Sequence, residues 1–146
     1  MIRYFDASAL AKRYVEEEGS DLVRALLRNG VRVSSRISEV EISSALARRW
    51  REGRFTREGL DRAMASLEKD FEKLSVVELH PSVVSLARDL LLRHALRAGD
   101  AIQLASGILL KEGGGFELEF VAFDNRLNAA ARDEGLTVLD PAATAP

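Results

Sequence analysis

Cysteine is absent from this 146-residue chain, and proline (3), tryptophan (1) and tyrosine (2) are scarce. Without cysteine there are no disulfides, thiolate metal sites or cysteine nucleophiles, so any chemistry must come from other side chains. The same absence fits a reducing compartment. No apolar run approaches the roughly 18 residues that a membrane span needs, and Asp6 falls where a secretory leader would be building its apolar stretch. The expectation is a soluble, cytoplasmic protein with no membrane partner. A strong charge of one sign is lacking as well. The 23 acidic and 21 basic side chains leave a net −2, which on its face argues against a partner held by bulk positive charge, nucleic acid above all.

That charge is unevenly spread. Residues 1–23 carry a balance of −2, residues 24–69 of +5 and residues 70–146 of −5. The positive middle is nearly all arginine and is densest in Arg48-Arg49-Trp50-Arg51-Glu52-Gly53-Arg54. Such a run is either a solvated helix face or a patch whose guanidinium forks pair with phosphate oxygens. Trp50 is open to two readings in the same way, stacking on a base or packing into a core or interface.

With 47% apolar residues the chain can bury one substantial core, and its length suits a single domain. Ile2–Phe5 reads as a strand, and a helix is expected from Ala7 to about Glu18, where Gly19 stops it. Ser20 is expected to cap a second helix that ends at Gly30. A strand over Val31–Ser35 follows. A helix then runs from about Ser38 to Glu52, with Val40, Ala45 and Leu46 available for burial. Thr56 caps a helix reaching about Lys73, with Leu60, Met64, Leu67 and Phe71 inward. Val76–Leu79 reads as a strand and Pro81 to about His94 as a helix. Asp100 to Lys111 reads as a buried helix broken at Gly113-Gly114-Gly115. Leu118–Phe123, Asn125–Glu134 and Leu136–Leu139 complete the series as strand, helix and strand, and the few residues after Pro141 are expected to be loose. Strands alternating with helices imply parallel pairing through crossover helices, an α/β class.

In such sheets ligands bind beyond the carboxyl ends of the strands, where strand order reverses. Asp6 and Asp124 each follow a strand directly, and each also precedes a helix, so capping is an alternative role. Glu41 and Asp100 sit inside apolar helical stretches, and no basic residue lies between Arg97 and Lys111 to pair Asp100. Asp100 has a capping alternative too. Buried unpaired carboxylates are costly, and crowded like charges resist ionising together, a repulsion that a divalent cation relieves. Oxygen-only donors select Mg²⁺ or Mn²⁺ rather than zinc. His80 and His94, the only imidazoles, read as a turn residue and a helix-end residue. There is no Gly-x-Ser-x-Gly elbow, no P-loop and no dinucleotide fingerprint, since the glycine triplet precedes a strand rather than following one.

Four segments carrying these acids resemble the PIN-domain ribonucleases, and within them the VapC-type toxins of toxin–antitoxin pairs. They are Tyr4-Phe5-Asp6-Ala7-Ser8-Ala9-Leu10, Glu41-Ile42-Ser43-Ser44-Ala45-Leu46, Leu96-Arg97-Ala98-Gly99-Asp100-Ala101-Ile102-Gln103-Leu104-Ala105 and Val121-Ala122-Phe123-Asp124-Asn125-Arg126-Leu127. Together they span nearly the whole chain in the family's order. The resemblance implies one PIN domain over residues 1–146, a three-layer α/β/α fold on about five parallel strands. It implies that Asp6, Glu41, Asp100 and Asp124 form a catalytic pocket holding one or two Mg²⁺ or Mn²⁺ ions. It further implies endonucleolytic cleavage of RNA phosphodiester bonds, a homodimer and a VapB-type antitoxin partner. Ser8 and Asn125 would supply supporting hydrogen bonds. Arg48, Arg49, Arg51 and Arg54 would contact RNA or an acidic antitoxin segment. Two departures stand out: Ala122 where a Thr or Ser hydroxyl is frequent, and Gln103 where His is common. Glu39 competes with Glu41 as a ligand, and the Ala45-Leu46 that follows favours Glu41.

Three other functions deserve comparison. A non-catalytic RNA-binding module would keep the fold with an idle pocket. An aspartyl phosphatase usually wants a second acid two residues after its nucleophile, where Ser8 stands. A receiver-type signalling domain wants a lysine at a late strand end, and none follows Lys111. The intact set of four acids favours the nuclease.

Overall fold

A computed structural model describes residues 1–139 of the 146; the stretch after Pro141, expected to be loose, lies outside the described residues. Five strands, β1 (Ile2–Phe5), β2 (Val31–Ser35), β3 (Ser75–Val77), β4 (Leu118–Val121) and β5 (Thr137–Leu139), form one sheet in the order β3-β2-β1-β4-β5. Every pairing is parallel, for example Tyr4 with Val33 on one side and with Phe120 on the other. The α/β expectation holds, and so does the strand number.

Helices α1 (Ala7–Leu10), α2 (Ser20–Leu26), α3 (Ile37–Arg51) and α4 (Arg57–Lys73) cover one face, joined there by a 3-10 turn over Ala11–Arg13. Helices α5 (Pro81–Arg93), α6 (Ala98–Gly114) and α7 (Asn125–Asp133) cover the other. Side chains on a strand alternate faces, and the two cores follow that rule. Tyr4, Val33, Leu118, Phe120 and Ala122 pack under α5, α6 and α7. Phe5 and Val121 point the opposite way, into the layer built on Ile42, Leu46, Leu67 and Phe71. From β1 the chain first builds outward to β2 and β3, then crosses to β4 on the other side of β1. Strand order therefore reverses at the β1/β4 boundary.

Several boundaries differ from expectation for identifiable reasons. The helix expected to reach Glu18 stops at Leu10 and gives way to the 3-10 turn. Its last turn would have set three consecutive glutamates against the negative end of a helix dipole, and Ser20 takes the local backbone instead. The Ser20 hydroxyl donates to the Val15 carbonyl at 2.7 Å and accepts from the Glu17 N–H at 3.1 Å. Ser20 is thus buried as the first residue of α2, and Gly19 occupies the cap position. Val40, read as available for burial, is 70% exposed, because the inward stripe of α3 is Ser38, Ile42 and Leu46. Helix α6 is longer at both ends than expected, running through two of the three glycines until Gly115, at φ 62°, closes it. β4 ends at Val121 rather than Phe123, since the Ala122 carbonyl accepts from the Asn128 side chain and the Phe123 N–H donates to Ser8.

Candidate active site

The reversal between β1 and β4 opens a crevice at the carboxyl edge of the sheet, the place where open α/β folds bind ligands. Asp6 leaves β1 there and caps α1, with Oδ1 accepting the Ala9 N–H at 2.9 Å. Asp124 follows β4 in the same way and caps α7, its Oδ1 accepting the Leu127 N–H at 3.0 Å. Both acids therefore fill the capping role at the carboxyl edge of the sheet. Asp100 sits three residues past the Arg97 cap position in α6 and accepts a hydrogen bond from the Arg97 backbone, one half of a capping box. Glu41 enters from the first turns of α3 on the opposite face of the sheet. Glu41, Asp100 and Asp124 line one cleft of about 740 Å³ together with Arg97 and Arg126. Asp6 is buried, only 3% exposed, and does not line the cleft itself, but it is close enough to feel the Glu41 charge.

Ser8 ties Asp6 to the loop after β4. Its hydroxyl lies 2.8 and 2.9 Å from the two Asp6 carboxylate oxygens and accepts from the Phe123 N–H at 3.0 Å. Asn125 lies on the rim of the cleft as the first residue of α7 and is exposed. The asparagine that bonds the loop is Asn128, donating to the Ala122 carbonyl at 2.9 Å. Its Oδ1 is buried with no hydrogen-bond partner among the described residues.

The electrostatics follow from burial and from mutual repulsion. Burial pushes Asp6 up to about 7, against the Ala9 and Ser8 hydrogen bonds, and the Glu41 charge pushes the same way. Burial also raises Glu41, opposed by a hydrogen bond from Gln103 and reinforced by the Asp100 charge. Asp100 is raised by burial and then by Asp124, with Arg97 pulling back. The four acids therefore form a chain of like-charged neighbours, Asp6 to Glu41 to Asp100 to Asp124. Glu39 is outside this chain, since it pairs with Arg36, which also clasps Glu78 through Nε at 3.0 Å.

Hard oxygen donors, partial burial and unrelieved repulsion are the chemistry that a divalent cation fits. Among the described residues, no three acids converge closely enough on one point to hold a metal ion as they stand. Glu41, Asp100 and Asp124 are half-buried at the cleft wall, each within reach of its neighbour's charge.

The arginine run falls elsewhere. Arg51 lies ten residues beyond Glu41 on α3, about 15 Å along the axis. Arg49 is paired with Glu17 at 2.7 Å and Arg54 with Glu52 at 3.6 Å, while Arg48 and Arg51 are exposed. Trp50 is on the surface with the Arg57 guanidinium 5.4 Å above its ring. Among the described residues, the cations lining the acidic cleft are Arg97 and Arg126, neither of which stands out in the sequence. Their positions, three residues before Asp100 and two after Asp124, are the signal that could have found them.

Behind the cleft lies a buried polar network that pattern reading also missed. Gln103, 1% exposed, donates from Nε2 to Glu41 at 2.8 Å and to Ser38 at 2.9 Å, and accepts from the Tyr4 hydroxyl at 2.6 Å.

Comparison with known proteins agrees with the geometry. The PIN domain family model matches residues 3–133. Ribonuclease VapC45 of Mycobacterium tuberculosis is 36% identical over 143 residues, covering 94% of this chain and 97% of the relative. Among solved structures, a toxin–antitoxin complex from Klebsiella pneumoniae superposes with a TM-score of 0.66 at 16% identity, covering 95% of this chain and 97% of that one. VapC20 of M. tuberculosis, a sarcin–ricin-loop-cleaving toxin, also reaches 0.66 at 19% identity, covering 88% and 94%. At those identities the solved structures establish the fold alone. With the family model spanning nearly all of the sheet and helices and a relative of 36% identity end to end, the chain belongs to the PIN domain family.

Proposed function

We propose that this chain is a metal-dependent endoribonuclease of the VapC type, acting as the toxin of a toxin–antitoxin pair. The observation that carries the reading is the cleft at the β1/β4 reversal. There Glu41, Asp100 and Asp124 gather from three different elements with Arg97 and Arg126 alongside, and the buried Asp6 feels the Glu41 charge. A full-length relative named as a ribonuclease supports the substrate class.

Asp6, Asp100 and Asp124 would hold the ion, with Glu41 as a further ligand or the group that orients the attacking water. One or two Mg²⁺ or Mn²⁺ ions supply an acidified water and charge stabilisation at the scissile phosphate. Ser8 keeps Asp6 in place through the two-oxygen contact, and Arg97 and Arg126 are placed to meet phosphate oxygens as guanidinium forks do. Arg48 and Arg51, further along α3, extend a basic surface for the RNA backbone or for an acidic segment of a VapB-type antitoxin. A homodimer in the cytoplasm completes the reading. Its support is the apolar outer face of α5, where Val84, Leu91 and Leu92 are exposed.

The test is single-stranded RNA cleavage in Mg²⁺ by wild-type protein and by Asp6→Asn and Asp100→Asn. Both variants are expected to lose more than the roughly 10- to 100-fold typical of groups that merely support a metal ligand. Full activity in both would overturn the proposal.

A further inference from the structure

Glu41 is held from two sides by α6. On one side its Oε1 accepts from Gln103 Nε2 at 2.8 Å. On the other, the missing side chain of Gly99 gives it room, for a Cβ at residue 99 would lie 2.7 Å from Glu41 Oε2 and 3.3 Å from its carboxyl carbon. We infer that Gln103 is a positioning residue, fixing the Glu41 carboxylate at the wall of the cleft beside Asp100. This rests on the reading of Glu41 as a ligand or water-orienting group.

The direction of every bond around Gln103 is determined. An ionised carboxylate can only accept, so the amide nitrogen must face Glu41 and the amide oxygen must face Tyr4. The nitrogen's second hydrogen goes to Ser38, and the Tyr4 hydroxyl donates to the amide oxygen. Ser38 and Ser34 share a hydroxyl–hydroxyl bond of 2.8 Å, and Ser34 donates to the Phe5 carbonyl at 2.7 Å. Both arms thus end on β1 beside Asp6, at Tyr4 two residues before it and Phe5 immediately before it. The network links Glu41 to β1, the strand that Asp6 follows.

Packing alone would not place an amide here. The neighbouring positions of α6, Ala101, Leu104, Ala105 and Ile108, are buried and apolar. A buried amide is costly unless fully bonded, and an apolar side chain of similar size would fill the core without that demand. What the amide adds is a donor to Glu41.

The decisive pair of variants is Gln103→Met, which keeps the volume, and Tyr4→Phe with Gln103→Met, which also removes the stranded phenol. Melting temperature, Mn²⁺ affinity by calorimetry, and kcat and KM on RNA are measured for each. Gln103→Met is expected to melt lower than wild type, and the double variant to regain part of that loss, because stranding one partner costs more than removing both. Both are expected to bind Mn²⁺ about 10- to 100-fold more weakly and to lose kcat over the same range, with KM for RNA unchanged. A double variant with wild-type Mn²⁺ affinity and kcat would overturn the positioning role while leaving the nuclease reading intact. A wild-type protein that neither binds Mn²⁺ nor cleaves RNA would overturn the nuclease reading and this inference with it. If wild type binds Mn²⁺ without cleaving RNA, the nuclease reading alone fails and the affinity comparison still decides the role of Gln103.

Discussion

At the scale of single residues, Asp6 caps α1 through its Ala9 bond while buried beside the Glu41 charge, so one carboxylate carries a local role and would carry the proposed one as well. That double use explains why strand-end acids were legible from sequence: a short strand ending in an acid before a helix is a local pattern. Gln103 was noticed only as a departure from the family pattern, because its partners lie 62 and 99 residues away along the chain. Asp70 is another residue that only the fold reveals. It clasps Arg13 with contacts of 2.5 and 3.2 Å and accepts from the Tyr14 hydroxyl at 2.7 Å, pinning the 3-10 turn to α4. Partial burial would raise its pKa, but the Arg13 and Tyr14 hydrogen bonds outweigh this and hold it below the ordinary value. A carboxylate depressed in the folded state contributes stability above its unfolded pKa and loses it as pH falls through the folded one. Asp70→Asn is therefore expected to lower the melting temperature near pH 7 and to have a smaller effect near pH 3, about one unit below the usual aspartate value. Thermal melts at the two pH values check it. An equal loss at both would show that the charge is immaterial.

At the scale of elements, the meeting of α3 and α6 sets the site. Periodicity located both helices but could not say which of their faces met. Val40 was read as inward and is exposed, whereas Glu41, one residue on, points at Gly99 of the opposing helix. The buried stripe runs through Ile42, two residues past Val40, and two residues turn a helix by about 200°, so only the partner helix resolves which face is inward. The close approach at Gly99 gives a sharp expectation. Gly99 lies in the first turn of α6, where alanine gains less over glycine than the roughly 0.8–1.0 kcal/mol of a helix interior, so Gly99→Ala is expected to change stability by less than about 1 kcal/mol. Its methyl would nonetheless displace the Glu41 carboxylate, so Mn²⁺ affinity and RNA cleavage are expected to fall. Calorimetry alongside a melting curve separates the two effects. Unchanged affinity would mean that Glu41 tolerates the displacement.

For the whole molecule, the α/β class followed from strands and helices alternating along the chain, and the parallel sheet from that alternation. The order β3-β2-β1-β4-β5 was not written in any local pattern, yet it is what makes β1 and β4 neighbours and so brings Asp6 and Asp124 to one crevice. Net charge misled for a related reason. The total of −2 includes four acids gathered at the cleft, and without them 19 acids face 21 bases. A chain that looked unsuited to nucleic acid is an acidic pocket set in an otherwise mildly basic protein.

The central claim is that these acids act through a bound divalent ion, and metal removal tests it most directly. Purified wild-type protein stripped with a chelator and mixed with a labelled single-stranded RNA is expected to leave it intact, and to cleave it once Mn²⁺ is returned in excess of the chelator. Undiminished cleavage in the chelator would contradict the account.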